Sequence, residues 1–385
     1  MPTVSGTPVI ASAEAWSAPG ALDVYNAPDG ADALAVAEAA RLRGGLAIHI
    51  ARDGARAAAM NEALRFFAPD IPLLDFPAWD CLPYDRVSPS PAVSSARMAT
   101  LAVLAKQDGK SPLIVTTTVN AVTQRTPPKE VIAAAAFTAR PGETVTMERL
   151  TAYLAANGYA RASTVREAGE FAVRGGLIDI FPPGADDPIR LDFFGDTLES
   201  VRAFDSATQL TTRQLQQVDL AAATEILLTE ETVSRFRAGF VATFGPASGD
   251  PVYEAASAGR KHAGMEHWLP LFYARADSLF DFIGGGLVVL EHLASEAAEE
   301  RFTAIGDHYN ARAEDAAAKR PRSSEFSAPA FRPLKPSALY LSPDEWRARL
   351  EAVFLRRLSP FSPPEGKRAF SFGAKVGRSF AAERA

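Results

Sequence analysis

From Glu167 to Asp205 this 385-residue chain reads as three or four short strands separated by turn residues, with Gly175-Gly176 marking one of the turns. Before this run the sequence alternates strand-like and helix-like stretches, and the alternation resumes after it. A β-rich run inside an α/β pattern cannot join the same layer, so it reads as a compact unit inserted into an α/β domain.

The flanking pattern is regular. Strand candidates at Leu22–Tyr25, Leu46–Ile50, Leu73-Leu74 and Leu113–Thr116 alternate with helical spacing. One helix starts near Ala31 and stops at Gly44-Gly45; a second is capped by Asp53; a third runs from Pro91 to Lys106. Strands alternating with helices call for a parallel sheet with helices on its faces. Downstream, Thr146 can cap a helix that ends at Gly158, Glu225–Leu228 resembles a strand, and Glu230–Phe244 is an amphipathic helix. Gly284–Leu290 reads as a buried strand, followed by a long helix from Ser295 to about Lys319. From Pro321 the composition turns to proline, serine and arginine, as in a linker. The helix-forming stretch Arg378–Arg384 stops abruptly, as a fragment would.

Composition narrows the function classes. Hydrophobic residues at 47% and charged residues at 22% are ordinary for a globular protein, and length alone suggests two or three domains. No apolar run is long enough to span a bilayer and no signal pattern opens the chain, so a cytoplasmic protein without a membrane partner is expected. The single cysteine, Cys81, excludes an intrachain disulfide framework. A net charge of −6 argues against nucleic-acid binding by the whole surface. A basic stretch, Arg349, Arg356, Arg357, Lys367, Arg368, Lys375 and Arg378, leaves local DNA contact open beside the blander reading of a solvated linker.

Motifs for chemistry are sparse. In a parallel sheet of this kind, a phosphate cradle belongs in the loop after the first strand, where glycines let the backbone approach and a lysine reaches the phosphates. Here that loop is Asn26-Ala-Pro-Asp-Gly-Ala-Asp32, with no lysine and with Asp29 and Asp32 set to repel phosphate. The histidines (His49, His262, His267, His292, His308) show no metal-ligand spacing, and no serine occupies a nucleophile elbow. Glu167, Glu170, Asp179 and Asp192 could form paired carboxylates, but solvent-facing strand positions commonly carry such residues. No catalytic or metal site is expected.

The β-rich run is more informative. In Ile189–Phe194, alternation sends Ile189, Leu191 and Phe193 to one face and Arg190, Asp192 and Phe194 to the other. An outward Phe beside an Arg on a strand suits a protein-binding anchor, and Arg174 beside the glycine turn could join it. The alternative is that Phe194 covers the base of its hairpin and the arginines are merely solvated. Periodicity leaves the two readings level.

Four longer stretches carry a family resemblance. They are Phe76-Pro-Ala-Trp-Asp-Cys-Leu-Pro-Tyr-Asp-Arg-Val-Ser-Pro89, Gly169-Glu-Phe-Ala-Val-Arg-Gly-Gly-Leu-Ile-Asp-Ile-Phe-Pro182, Arg190-Leu-Asp-Phe-Phe194 and Glu266-His-Trp-Leu-Pro-Leu-Phe272. In this order, between about residues 20 and 320, the chain resembles the N-terminal region of the bacterial transcription-repair coupling factor family (Mfd), itself similar to the excision-repair protein UvrB. The resemblance implies a degenerate helicase-type, P-loop NTPase-like α/β domain in two pieces, interrupted by a small β-rich α+β domain that docks on UvrA. The implied boundaries are 1–130 and 215–320 for the two pieces and 131–214 for the insert, with 321–385 as linker and the start of a further domain. The family's docking face uses two arginines and a phenylalanine, which fall by motif on Arg174, Arg190 and Phe194.

Two departures from UvrB accompany it. The phosphate lysine is missing, and Leu290-Glu-His-Leu293 stands where an Asp-Glu box would hold magnesium. Tyr84-Asp85 also leads almost directly into the helix at Pro91, leaving no room for the long aromatic hairpin with which UvrB grips DNA. The resemblance therefore implies an adaptor that recruits UvrA to stalled RNA polymerase, with no cofactor of its own. ATP, magnesium, polymerase and double-stranded DNA would belong to the motor and other parts of a full-length protein. The alternatives are an autoregulatory module that packs on that motor, or a UvrB-like damage-binding helicase.

Overall fold

The structure is a computed structural model, and it describes residues 16–317, 331–364 and 370–376. The first half builds most of a parallel sheet: β1 (Ala21–Tyr25), α1 (Ala31–Arg43), β2 (Leu46–Ala51), α2 (Gly54–Phe67), β3 (Leu73–Phe76), α3 (Pro91–Lys106) and β4 (Leu113–Thr118). Local signals fix these elements. Asp53 accepts the Arg56 N–H at 2.9 Å to start α2, and Ser90 accepts the Val93 N–H at 3.3 Å to start α3, with Pro91 at the first helical position.

After an inserted region the chain returns through α5 (Glu230–Phe244), β13 (Leu287–Leu290), α6 (Ala294–Ala317), α7 (Pro343–Glu351), β14 (Phe354–Leu358) and β15 (Phe370–Ser371). The seven-stranded sheet runs β15-β1-β14-β13-β2-β4-β3, and every pairing is parallel. Both faces are buried: on β2, Leu46, Ile48 and Ile50 enter one core while Ala47 enters the other. The expected fold class holds, since β13 from beyond the insert lies between β14 and β2 in a single sheet.

Two local expectations are corrected. Glu225–Leu228, buried except at the half-buried Leu228, joins no ladder: the Tyr273 hydroxyl accepts the Leu227 N–H, and the Leu228 N–H goes to the Ala156 carbonyl. The expectation of linker and a further domain from 321 also gives way, because β14 is an interior strand of the main sheet. Its Arg356 is fully buried and donates to the carbonyls of Trp16, Ala18, Gly20 and Leu355, so a sequence that reads as basic surface is a core strand. Arg349 pairs with Asp281 and Arg357 with Asp23, leaving little of the expected basic patch on described residues; Lys367, Arg368 and the stretch Arg378–Arg384 lie outside them.

The insert has its own sheet and core. It is entered through β5 (Phe137–Ala139) and α4 (Met147–Ala156), which Thr146 caps as expected. Then come β6 (Ala160–Arg161), β7 (Glu170–Arg174), β8 (Leu177–Ile180), β9 (Ile189–Phe194), β10 (Thr197–Phe204), β11 (Thr211–Leu215) and β12 (Val218–Leu220). The sheet order is β11-β10-β9-β8-β7-β6, antiparallel except at β6–β7. β5 and β12 pair with each other, closing the insert where the chain enters and leaves it. Leu150, Leu154, Ile178, Ile180, Leu191, Leu198 and Val201 fill one face under α4. Burial of each large side chain contributes about 1.5–3 kcal/mol.

The insert is seated on α3. Gly184, at φ +74°, lies so close that a Cβ there would stand 2.6 Å from Ala99 Cβ. The Lys261 ammonium donates to the Gly158 carbonyl at 2.5 Å on the other side of the junction. Beneath it sits a buried ion pair. Arg97 on α3 donates to both oxygens of Glu225 at 3.1 and 2.9 Å and to the Pro77 carbonyl at 2.8 Å, and its guanidinium lies 4.1 Å from the Phe76 ring centre. The Trp79 indole N–H donates to Glu225 as well, at 2.6 Å. The Phe76-Pro-Ala-Trp79 motif is thus the wall of this pair.

Candidate protein-docking face

The insert's sheet has a second face, away from α4, and it carries the charged residues. The two-residue turns that end its hairpins each place a glycine first, Gly175 at φ +59° and Gly195 at φ +57°, a conformation that favours glycine. These turns bring Arg174, at the end of β7, and Phe194, at the end of β9, to the same end of the sheet. Asp179 stands opposite Ala172 on β7 and Arg190 on β9 in the ladder.

Asp179 is the centre of the arrangement. It is only 2% exposed, yet it is a carboxylate. Arg190 donates to it side-on, Nε to Oδ1 at 2.7 Å and Nη2 to Oδ2 at 2.9 Å, and Arg174 Nη2 adds a third hydrogen bond at 2.9 Å. The Arg190 guanidinium also lies 4.8 Å from the centre of the Phe204 ring, which belongs to a small apolar cluster with Val165 and Ala172. The Asp179 hydrogen bonds hold the Arg190 guanidinium above its ordinary pKa. Arg174 keeps about half of its side chain in solvent, at 48%, while Arg190 is more enclosed, at 17%.

Phe194 is 76% exposed, so it does not cover the base of its hairpin. The structure brings the three expected residues, Arg174, Arg190 and Phe194, to one face of one sheet. It adds a fourth that alternation along β9 alone did not reveal. Arg202 on β10 stands opposite Arg190, and with Ser200 it donates to Asp192. A register shift between Asp192 and Phe193 puts Ser200 and Arg202 in phase with Asp192. The paired-carboxylate reading is corrected: Asp179 and Asp192 are each taken by arginine, while Glu170 accepts the backbone N–H groups of Arg166 and Glu167.

The loop after β1 is tied up by the chain's own groups. At the start of α1, the Asp32 carboxylate accepts the Gly30 and Ala33 N–H groups, each at 2.8 Å, and so occupies donors that would face a phosphate. Arg56 on α2 pairs with Asp32, Asp29 and Glu291, the last just beyond β13. Burial pushes the Asp32 carboxyl up, against the pull of the Ala33 N–H and of Arg56. Phe76 and Pro91 are joined by a loop in which no residue is in a strand. No group of histidine, cysteine or acidic side chains among the described residues could hold a metal ion. No helix among them is long and apolar enough to cross a membrane.

His49 lies on β2 within this core, fully buried, and neither ring nitrogen has a hydrogen-bond partner among the described residues. Burial, helped by nearby Arg56, lowers its pKa to about 3 from an ordinary 6.5. A folded-state value below the unfolded one means the unfolded chain takes the proton first. Stability is therefore complete above the ordinary value and falls as the pH drops from there toward the folded value. Between pH 7 and pH 5 His49 is expected to cost about 1–2 kcal/mol. Urea midpoints at the two pH values would show this, and His49→Val should flatten the difference. An equal slope in that variant would refute the assignment.

Comparison with known proteins follows the same division of the chain. Residues 137–226 match the family model described as the UvrB interaction domain. Over 278 residues the chain is 33% identical to the transcription-repair-coupling factor of Rickettsia prowazekii (strain Madrid E), covering 72% of this chain and 24% of that protein. It is 34% identical over 229 residues to the transcription-repair-coupling factor of Escherichia coli (strain K12), covering 59% and 20%. With that of Myxococcus xanthus it is 36% identical over 217 residues, covering 55% and 18%. The resemblance read from the motifs is borne out. The chain spans about a quarter of the length of the curated relatives it matches, and Arg174, Arg190 and Phe194 all lie within the segment that matches the interaction domain.

Proposed function

We propose that this chain is a docking module for UvrA in transcription-coupled nucleotide excision repair, and that Arg174, Arg190 and Phe194 make the contact. The observation that carries this is Phe194, exposed at a hairpin tip on the same sheet face as two arginines held by a buried carboxylate, inside the segment that matches the UvrB interaction domain. An exposed aromatic ring offers an anchor for an apolar pocket, and the guanidiniums offer charge-assisted hydrogen bonds to acidic groups around it. We take the docking unit to be the insert, expected over 131–214; the pairing of Phe137–Ala139 with Val218–Leu220 supports a unit of about that extent. Contacts with RNA polymerase and double-stranded DNA, and the use of ATP and magnesium, are assigned to other parts of a full-length protein.

Calorimetric titration of the purified chain with purified UvrA tests the proposal. Saturable binding with one site is expected; no binding by the unaltered chain at micromolar concentrations would overturn it.

The same reading assigns no nucleotide hydrolysis to this chain. The Asp32 carboxylate on the Gly30 and Ala33 N–H groups, and Arg56 locked among three acids, support that assignment. Phosphate release from ATP by the purified chain is expected to stay at the level of buffer. Turnover that Glu291→Ala abolishes would contradict it.

A further inference from the structure

We infer that Asp179 is a positioning residue for docking: it holds Arg174 and Arg190 in one fixed arrangement before a partner arrives, without touching the partner itself. This rests on the docking role proposed above. Asp179 sits at 2% exposure, out of a partner's reach, in a strand whose neighbours Ile178 and Ile180 face the core. A buried carboxylate on a small sheet is a poor device for stability alone, because removing both members of such a pair from water costs about as much as their attraction returns. What it supplies is geometry. Arg190 is clamped on two sides, by the side-on carboxylate and by the Phe204 ring, and Arg174 shares the same carboxylate oxygen that Arg190 Nη2 uses.

An arginine has many rotamers, and freezing one on binding weakens the complex. Here two are ordered in advance by one side chain. The carboxylate also keeps two guanidiniums from repelling each other at close range.

Charge and geometry make opposite predictions for Asp179→Asn. The substitution raises the net charge of the face by one. If only attraction to acidic groups mattered, binding to UvrA would tighten and association would quicken. Positioning predicts the reverse: about tenfold weaker binding, carried by faster dissociation, with association unchanged or faster.

The decisive measurement uses the full chain and purified UvrA by surface plasmon resonance, with Asp179→Asn made alone and together with Arg190→Ala. The loss from Asp179→Asn should shrink to about threefold or less once Arg190 is gone, because part of what it positions is already missing. An undiminished tenfold loss in that background would mark a general structural effect and overturn the inference, as would unchanged or tighter binding by Asp179→Asn alone. If Arg190→Ala itself binds like the unaltered chain, the docking role fails instead, and the two failures are told apart. A second measurement needs no variant: ¹⁵N relaxation of the Arg190 Nε–H in the free chain should match the surrounding backbone. A freely averaging guanidinium would overturn the inference.

Discussion

Replacing Arg97 by alanine is expected to remove about 3–5 kcal/mol of folding stability, the range for breaking a buried ion pair by deleting one partner. Arg97 is fully buried and Glu225 is 2% exposed. Without the guanidinium, the Trp79 N–H is the one side-chain donor left to Glu225 among the described residues, while its carboxylate stays buried. The Pro77 carbonyl loses its donor too, and the Phe76 ring loses the cation above it. The damage should be sited at the junction, because α3 carries the insert and Glu225 lies just past the insert's return strand. Exchanging the pair together, Arg97→Met with Glu225→Leu, should recover much of the loss, since both desolvation costs disappear at once. Urea unfolding followed by fluorescence, with the slope unchanged, measures both; a loss under 1 kcal/mol for Arg97→Ala would refute the assignment.

Phe194→Ala and Arg190→Ala should each weaken UvrA binding by about 2 kcal/mol or more, roughly thirtyfold, the size expected of anchors at the centre of an interface. They should differ in every other respect. Phe194 is mostly in water, so its removal ought to leave the unfolding midpoint where it was and the salt dependence of binding unchanged. Removing Arg190 leaves Asp179 with Arg174 alone and takes the cation from the Phe204 ring, so it should also lower stability and flatten the salt dependence. Binding within threefold of the unaltered chain in both variants would remove these residues from the contact.

What the sequence disclosed follows from what is local. The helices at Pro91–Lys106 and Glu230–Phe244 have the expected limits because Ser90 and Thr229 cap them from one residue away. The outward face of β9 was legible from alternation, and the missing phosphate lysine from one loop. The misses are all long-range. Phe354-Leu-Arg-Arg-Leu358 hides its identity because the arginine at its centre is buried against the carbonyls of Trp16, Ala18 and Gly20, which no window of sequence can supply. Arg202 escaped because the strand bearing it shifts register relative to its partner, so counting by twos along one strand does not predict which face the next presents. Arg56 gave no signal at all. Its role needs Asp29, Asp32 and Glu291, which converge only after the sheet has formed.

The place of β14 in the sheet has a consequence for the order of assembly. Among the described residues β1 pairs with β14 and β15, so this strand has no hydrogen-bonding neighbour until residues more than three hundred positions later arrive; Asp23 and its partner Arg357 are 334 apart in sequence. The insert's six-stranded sheet, by contrast, pairs strands that follow one another in the chain. Non-local pairing is slow and local pairing is fast. During synthesis the UvrB-like insert can therefore fold, with Phe194 already at its hairpin tip, while β1 still waits for its partners.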